Sequence, residues 1–118
     1  MAWGSKTSAT QLVNITVEQF FDTILVSTDE LDVFHCQVDV NPQATPTDHC
    51  IVSVYATLDD SSQNWDDTPL YTFQVDKALD PNAVSFGLSG FYSYRIGVKR
   101  SGTTDTITSA DFSYKKGT

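Results

Sequence analysis

The chain has 118 residues, 40% of them hydrophobic, with a formal net charge of −8 and a sequence pI of about 4.3. That length fits one domain whose core is large enough to fold without metal or disulfide. The acidity argues against general nucleic-acid binding. No apolar run approaches the roughly 18 residues of a membrane span, so neither nucleic acid nor membrane is an expected partner.

The opening "MAWGSKTSATQ" has no apolar run and is expected to be no signal peptide. Residues 1–10 read as an N-terminal arm carrying Trp3, and residues 11–118 as the folded domain. Without a leader the expected compartment is a reducing cytoplasm, where thiols stay free. The Asn14-Ile15-Thr16 sequon then has no weight.

The dominant period along the chain is two. "QLVNITV" and "DTILVST" read as weak strands, and between them "TVEQFFDTIL" is the best candidate helix, with Val17, Phe20 and Ile24 on one face. Its short, β-branched character disfavours the helix. In "FHCQVDV" Phe34, Cys36, Val38 and Val40 alternate with His35, Gln37 and Asp39. In "HCIVSVYATL" Cys50, Val52, Val54, Ala56 and Leu58 alternate with His49, Ser53 and Thr57. In "FYSYRIGVKR" Tyr92, Tyr94, Ile96 and Val98 alternate with Ser93, Arg95 and Lys99. Such alternation marks strands with one buried face. "LYTFQV", "AVSFGL" and "TITSADFSY" add weaker strands, and "NPQATPTD", "DDSSQNWDDTP", "DKALDPN", "LSG" and "RSGTTD" supply turns. About eight short strands predict an all-β fold, a single antiparallel sandwich of jelly-roll-like or immunoglobulin-like topology.

Both cysteines and both histidines fall between Phe34 and Cys50 as two His-Cys dipeptides. Neighbouring strand residues point to opposite faces, so the four cannot converge on a tetrahedral zinc. The alternation turns the cysteines inward as small hydrophobes and the histidines outward. A disulfide would need the two strands to pair across "NPQATPTD", and the reducing compartment disfavours it. No metal or other cofactor is expected.

Nucleophile motifs are missing: "FGLSGF" lacks the G-x-S-x-G spacing, and the adjacent His points away from each Cys. The carboxylate pairs Asp59-Asp60 and Asp66-Asp67 lie in a polar loop, not in an apolar cleft that would separate their pKa values. No enzyme is expected. That loop also lacks the EF-hand pattern for calcium, and it surrounds Trp65, which either caps the sandwich end or anchors a contact.

Charge is uneven. Residues 1–80 hold thirteen acids against Lys6 and Lys77, and residues 81–118 hold five bases against two acids. The C-terminal run reads as a hairpin with Arg95, Lys99 and Arg100 on or after its first strand and Lys115 and Lys116 ending its second. Such an edge either docks on an acidic neighbour or guards against aggregation.

"VSVYATLDDSSQNWDDTPLYTF" and "DPNAVSFGLSGFYSYRIGVKRSGTTDTITSADFSY", with the opening "MAWG", resemble small virion proteins of tailed bacteriophages. The likeness spans about Val52 to Tyr114 and carries no catalytic motif. It implies a structural β-sandwich of the virion, made in the host bacterial cytoplasm. The expected role is a capsid decoration protein that clamps the head shell through many weak contacts. Its partners would be the major capsid protein or other virion proteins and further copies of itself, a trimer among the expected forms. Trp3, Trp65, Arg95, Lys99 and Arg100 are the expected contact residues. The alternatives are a neck or tail adaptor or fibre-associated protein and, in another class, a carbohydrate-binding module using Trp65 with Tyr55 or Tyr71.

Overall fold

The computed structural model describes residues 6–28, 32–43, 47–58, 65, 67–75 and 83–117. Among them are ten strands: β1 (Thr7–Ser8), β2 (Leu12–Ile15), β3 (Gln19–Phe20), β4 (Leu25–Val26), β5 (Val33–Asn41), β6 (Cys50–Thr57), β7 (Tyr71–Val75), β8 (Ala83–Leu88), β9 (Ser93–Arg100) and β10 (Ile107–Gly117). All pairings are antiparallel. One sheet, A, runs β1-β10-β5-β8 with β2 also on β10. The other, B, runs β3-β9-β6-β7 with β4 also on β9.

This order settles the topology. Taking β3 and β4 as one interrupted strand and counting from β2 gives eight strands. Their sheet orders are first-eighth-third-sixth and second-seventh-fourth-fifth, which is a jelly roll rather than an immunoglobulin arrangement. Successive strands therefore often lie in opposite sheets. β9 and β10 do so, and the expected C-terminal hairpin does not exist. β5 and β6 also lie in opposite sheets and do not pair, so Cys36 and Cys50 are not cross-strand neighbours.

The core sits between the sheets. Phe34, Cys36, Val38 and Val40 of β5 face Val52, Val54 and Ala56 of β6 and Tyr94, Ile96 and Val98 of β9, with Phe112, Leu88 and Phe21 filling in. Phe34 and Tyr94 meet edge to face at 6.1 Å, and Phe21 and Phe112 lie 5.3 Å apart. At the open side of the sandwich Phe73 stacks on Phe86 at 4.9 Å and joins β7 to β8.

The segment "TVEQFFDTIL" is not a helix. Phe20 and Phe21 are consecutive and point to opposite sides of β9: Phe21 enters the core while its N–H donates to the Ile96 carbonyl at 3.0 Å. A helix would have placed the two rings about 100° apart and left one unsupported. In β2 the alternation shifts at Asn14, whose φ of 51° is a left-handed value that Asn tolerates better than most residues. The kink lets Ile15 bury fully although Val13 is exposed. Of the arm, Thr7 and Ser8 pair with Tyr114 and Ser113 of β10. At its end the Thr10 N–H reaches Asp22 at 3.2 Å, and bonds from Thr10 hold the Asp22 carboxyl below its ordinary value.

Both thiols are free and buried. Burial pushes Cys36 up to about 12, and burial with the nearby Asp105 charge pushes Cys50 up to about 11. A thiol with so little thiolate is a poor nucleophile. Native protein at pH 8 is expected to resist alkylation, with both sites labelling only after denaturation. Replacing both by Ala should cost about 1 to 3 kcal/mol through lost packing. Rapid labelling of the folded chain would contradict this burial.

Candidate contact surface

Outward residues of a sheet meet solvent unless something covers them. On sheet B something does. The outward side chains of β6 are Ile51, Ser53, Tyr55 and Thr57; Ile51 at the strand's start is half-buried, and the other three are buried, Tyr55 to 8% exposure. The one-faced alternation read from the sequence is thus wrong for β6, which is buried on both sides.

The cover is built around Arg95. Register places Arg95 of β9 directly opposite Tyr55 of β6. Its guanidinium lies over the Phe20 ring at 4.0 Å and over the Tyr55 and Trp65 rings at 5.2 Å each. Phe20 and Tyr55 meet edge to face at 5.5 Å. A guanidinium over aromatic faces is held by the ring quadrupoles, and desolvation strengthens that attraction. The Tyr55 hydroxyl donates to Glu18 at 3.1 Å. Burial, followed by the Glu18 charge, raises the Tyr55 phenol above its ordinary value.

Gly97 makes this packing possible. It pairs with Phe20 across β3 and β9, and a Cβ there would lie 2.9 Å from the Phe20 ring. The ring occupies the space that a side chain would fill, a known device for glycine within a sheet.

Two of the expected contact residues, Trp65 and Arg95, are therefore brought together. Trp65 is half-buried over Arg95, neither a core residue nor a freely projecting tip. Lys99 lies on the same outer face, paired with Ile51 and half-buried. Arg100 has the opposite parity, and its guanidinium donates to the Asp105 carbonyl, so it serves the loop rather than this surface. Trp3, Asp59, Asp60 and Asp66 lie outside the described residues. Lys116 is bound in an ion pair with Asp32 at 3.1 Å, and Lys115 projects from sheet A. Arg95 and Lys99 thus lie on the outer face of sheet B and Lys115 on that of sheet A, while Arg100 and Lys116 lie on neither.

Phe20 and Glu18 were not among the expected contact residues, and Tyr55 was expected only as a glycan-stacking residue. The signal for Tyr55 was its odd position in "VSVYATL", which puts it on the outer face. Of the aromatic residues expected to stack on a glycan, Tyr55 is buried and Trp65 is engaged with Arg95. Tyr71 alone is well exposed, at 47%. Among the described residues no three His, Cys, Asp or Glu side chains are grouped to hold a metal ion.

No family model and no curated protein matches the chain. A chain in a solved structure of Bacillus endospore appendages, described as a novel family of disulfide-linked pili, is similar in fold. The TM-score is 0.56 at 14% identity, covering 99% of this chain and 87% of that one. At that identity the likeness establishes the shared β-sandwich architecture and nothing finer.

Proposed function

We propose that the chain is a structural subunit of a multi-copy assembly. The form that fits its resemblance to tailed-phage virion proteins is a decoration protein that clamps a capsid shell. The observation that carries this reading is the Arg95 platform on sheet B. Trp, Tyr and Arg are the side chains that dominate binding energy at protein interfaces. Here Trp65, Tyr55 and Arg95 are packed together on an outer face, with Trp65 still half-exposed. A cluster already ordered in the free domain loses little side-chain freedom on docking.

The fold likeness to pilus subunits supports a building-block role in a second, independent way. Those pili are described as disulfide-linked. This chain has two cysteines, both buried in its core, so the folded domain offers no thiol to a neighbour. Its assembly would be non-covalent and would draw its strength from valency.

The test adds purified protein to empty heads and counts bound copies after sedimentation. Trp65→Ala is expected to weaken attachment by roughly 30-fold, the equivalent of about 2 kcal/mol for an interface anchor. Arg95→Gln should act in the same direction by releasing Trp65 from the sheet. Binding to tails or necks instead of heads would move the role to an adaptor or fibre protein. A domain found on no particle, or a Trp65→Ala variant that binds as the wild type does, would overturn the reading.

A further inference from the structure

The outer face of sheet A has a charge pattern unlike that of sheet B. Its strands align in register, so outward residues form rows across β8, β5 and β10. One row is Gly87, His35 and Lys115. The next is Ser85, Gln37 and Ser113. The third is Ala83, Asp39 and Asp111. The basic row continues to Lys6, which directly precedes β1 beside β10. Lys6, His35, Gln37, Ser85, Ser113 and Lys115 line a groove of about 440 Å³. The groove exists because the rows carry small residues: glycine at 87 and serines at 85 and 113. A Cβ at Gly87 would meet nothing closer than 3.9 Å.

The face is therefore basic at one end, neutral in the middle and acidic at the other. The acidic row is held in place: Gln37 donates to Asp39 at 3.0 Å and Gln11 donates to Asp111 at 3.0 Å. Carboxylates still have lone pairs beyond those single bonds. Along a strand the basic and acidic rows are four residues apart, roughly 13 Å.

We propose that this face binds a second copy of the chain. A two-fold axis along the row Ser85–Gln37–Ser113 reverses the strand direction and leaves the lateral order unchanged. It sets Lys115 of each copy against Asp111 of the other, and His35 against Asp39. Every attraction occurs twice, as an isologous contact requires. The small central row lets the sheets approach, and Gly87 faces Ala83 without obstruction. Four strands roughly 4.8 Å apart and about nine residues long give a face of about 600 Å². That is just below a standard interface, so the dimer should be concentration-dependent.

The charge row selects this partner over a generic anion. A small anion would use only the basic end and leave Asp39 and Asp111 to repel it. A second copy uses both ends. The inference deepens the multi-copy reading and rests on it only in giving self-association a purpose.

Salt cannot decide the matter, because two copies at −8 each repel globally while the rows attract locally, and salt screens both. Charge reversal can. Sedimentation equilibrium of the purified chain should show a monomer–dimer equilibrium. Lys115→Glu alone and Asp111→Lys alone should each weaken it by about tenfold or more, since symmetry presents each repulsion twice. Mixing the two single variants should restore a dimer. The introduced glutamate of one copy then meets the introduced lysine of the other, and the retained Asp111 of the first meets the retained Lys115 of the second. The double variant in one chain should also dimerise. Thermal melts of all variants check that the fold is intact. A strictly monomeric wild type would overturn the proposal. So would a dimer indifferent to both reversals, which would place self-association on another surface. Dimerisation without attachment to heads would overturn the particle reading and leave this one standing.

Discussion

Lys116→Met is expected to destabilise the domain by about 3 kcal/mol, the low end of the scale for breaking a buried ion pair, because the lysine is half-buried while its partner carboxylate is fully buried. Lys116 has the core-facing parity of Phe112 and Tyr114 and sits opposite Phe34 at the end of β10. A cation placed there must be compensated. Its ammonium lies 3.1 Å from an Asp32 oxygen and donates to the Thr28 hydroxyl at 2.7 Å, with the Phe34 ring 6.0 Å away. The Asp32 side chain has no solvent exposure, and the same oxygen accepts the Thr28 N–H at 2.8 Å. Removing the lysine leaves a buried carboxylate with its hydrogen bonds but without the cation that compensates its charge. Asp32→Asn added to the Lys116→Met variant should recover part of the loss, because it neutralises the stranded charge and can keep one carbonyl acceptor for Thr28. Urea unfolding of the single and double variants measures this. A Lys116→Met loss below about 1 kcal/mol would show the pair to be ordinary surface charge.

That lysine also shows where sequence reading reached its limit. "FSYKK" reads as a strand end whose two lysines either dock on an acidic neighbour or guard an edge. Lys115 is exposed on the outer face of sheet A, but β10 lies between β1 and β5 and is no edge. Lys116 does not point outward, because β10 extends to Gly117 and keeps its alternation. Strand existence was legible, since burial against one core imposes a period of two on β5, β9 and much of β6. Sheet membership was not. Alternation is identical whether consecutive strands pair or cross to opposite sheets, so β5–β6 and β9–β10 could pass for hairpins. The inward cysteines were legible because parity alone decides them. The double burial of β6 was not, because Phe20 and Glu18 reach Tyr55 from far back in the chain. Gly97 was the one local hint: a glycine in a strand often marks something that needs its space.

The same crossing of strands explains the second large effect, expected at Asp105. The β5–β6 and β9–β10 connections both pass between the sheets and meet at one end of the sandwich. Asp105 is 3% exposed and joins them. Its carboxylate accepts the Thr47 N–H at 2.6 Å, the Thr47 hydroxyl at 2.7 Å and the Asp48 N–H at 2.8 Å. Asp48 reciprocates, accepting the Asp105 N–H at 3.0 Å and the Thr104 N–H at 3.2 Å. Ser101 and His49 exchange two further bonds at 2.9 Å. Each hydrogen bond to a charged group contributes about 1.5 to 3 kcal/mol, and bonds sharing one acceptor group do not add fully. Asp105→Ala should therefore cost about 3 to 4 kcal/mol. Asp105→Asn retains one good acceptor and turns a donor toward Thr47 or Asp48, so its cost should be roughly half of that. Hydrogen exchange separates this local role from general core damage. In the Ala variant the amides of Asp48 and of position 105 should lose protection, while those of Val38, Val54 and Ile96 keep theirs up to the global limit. If Asp105→Ala unfolds within about 1 kcal/mol of the wild type and both loop amides stay protected, the two connections are held by the packing of the sheets themselves, and the carboxylate is incidental.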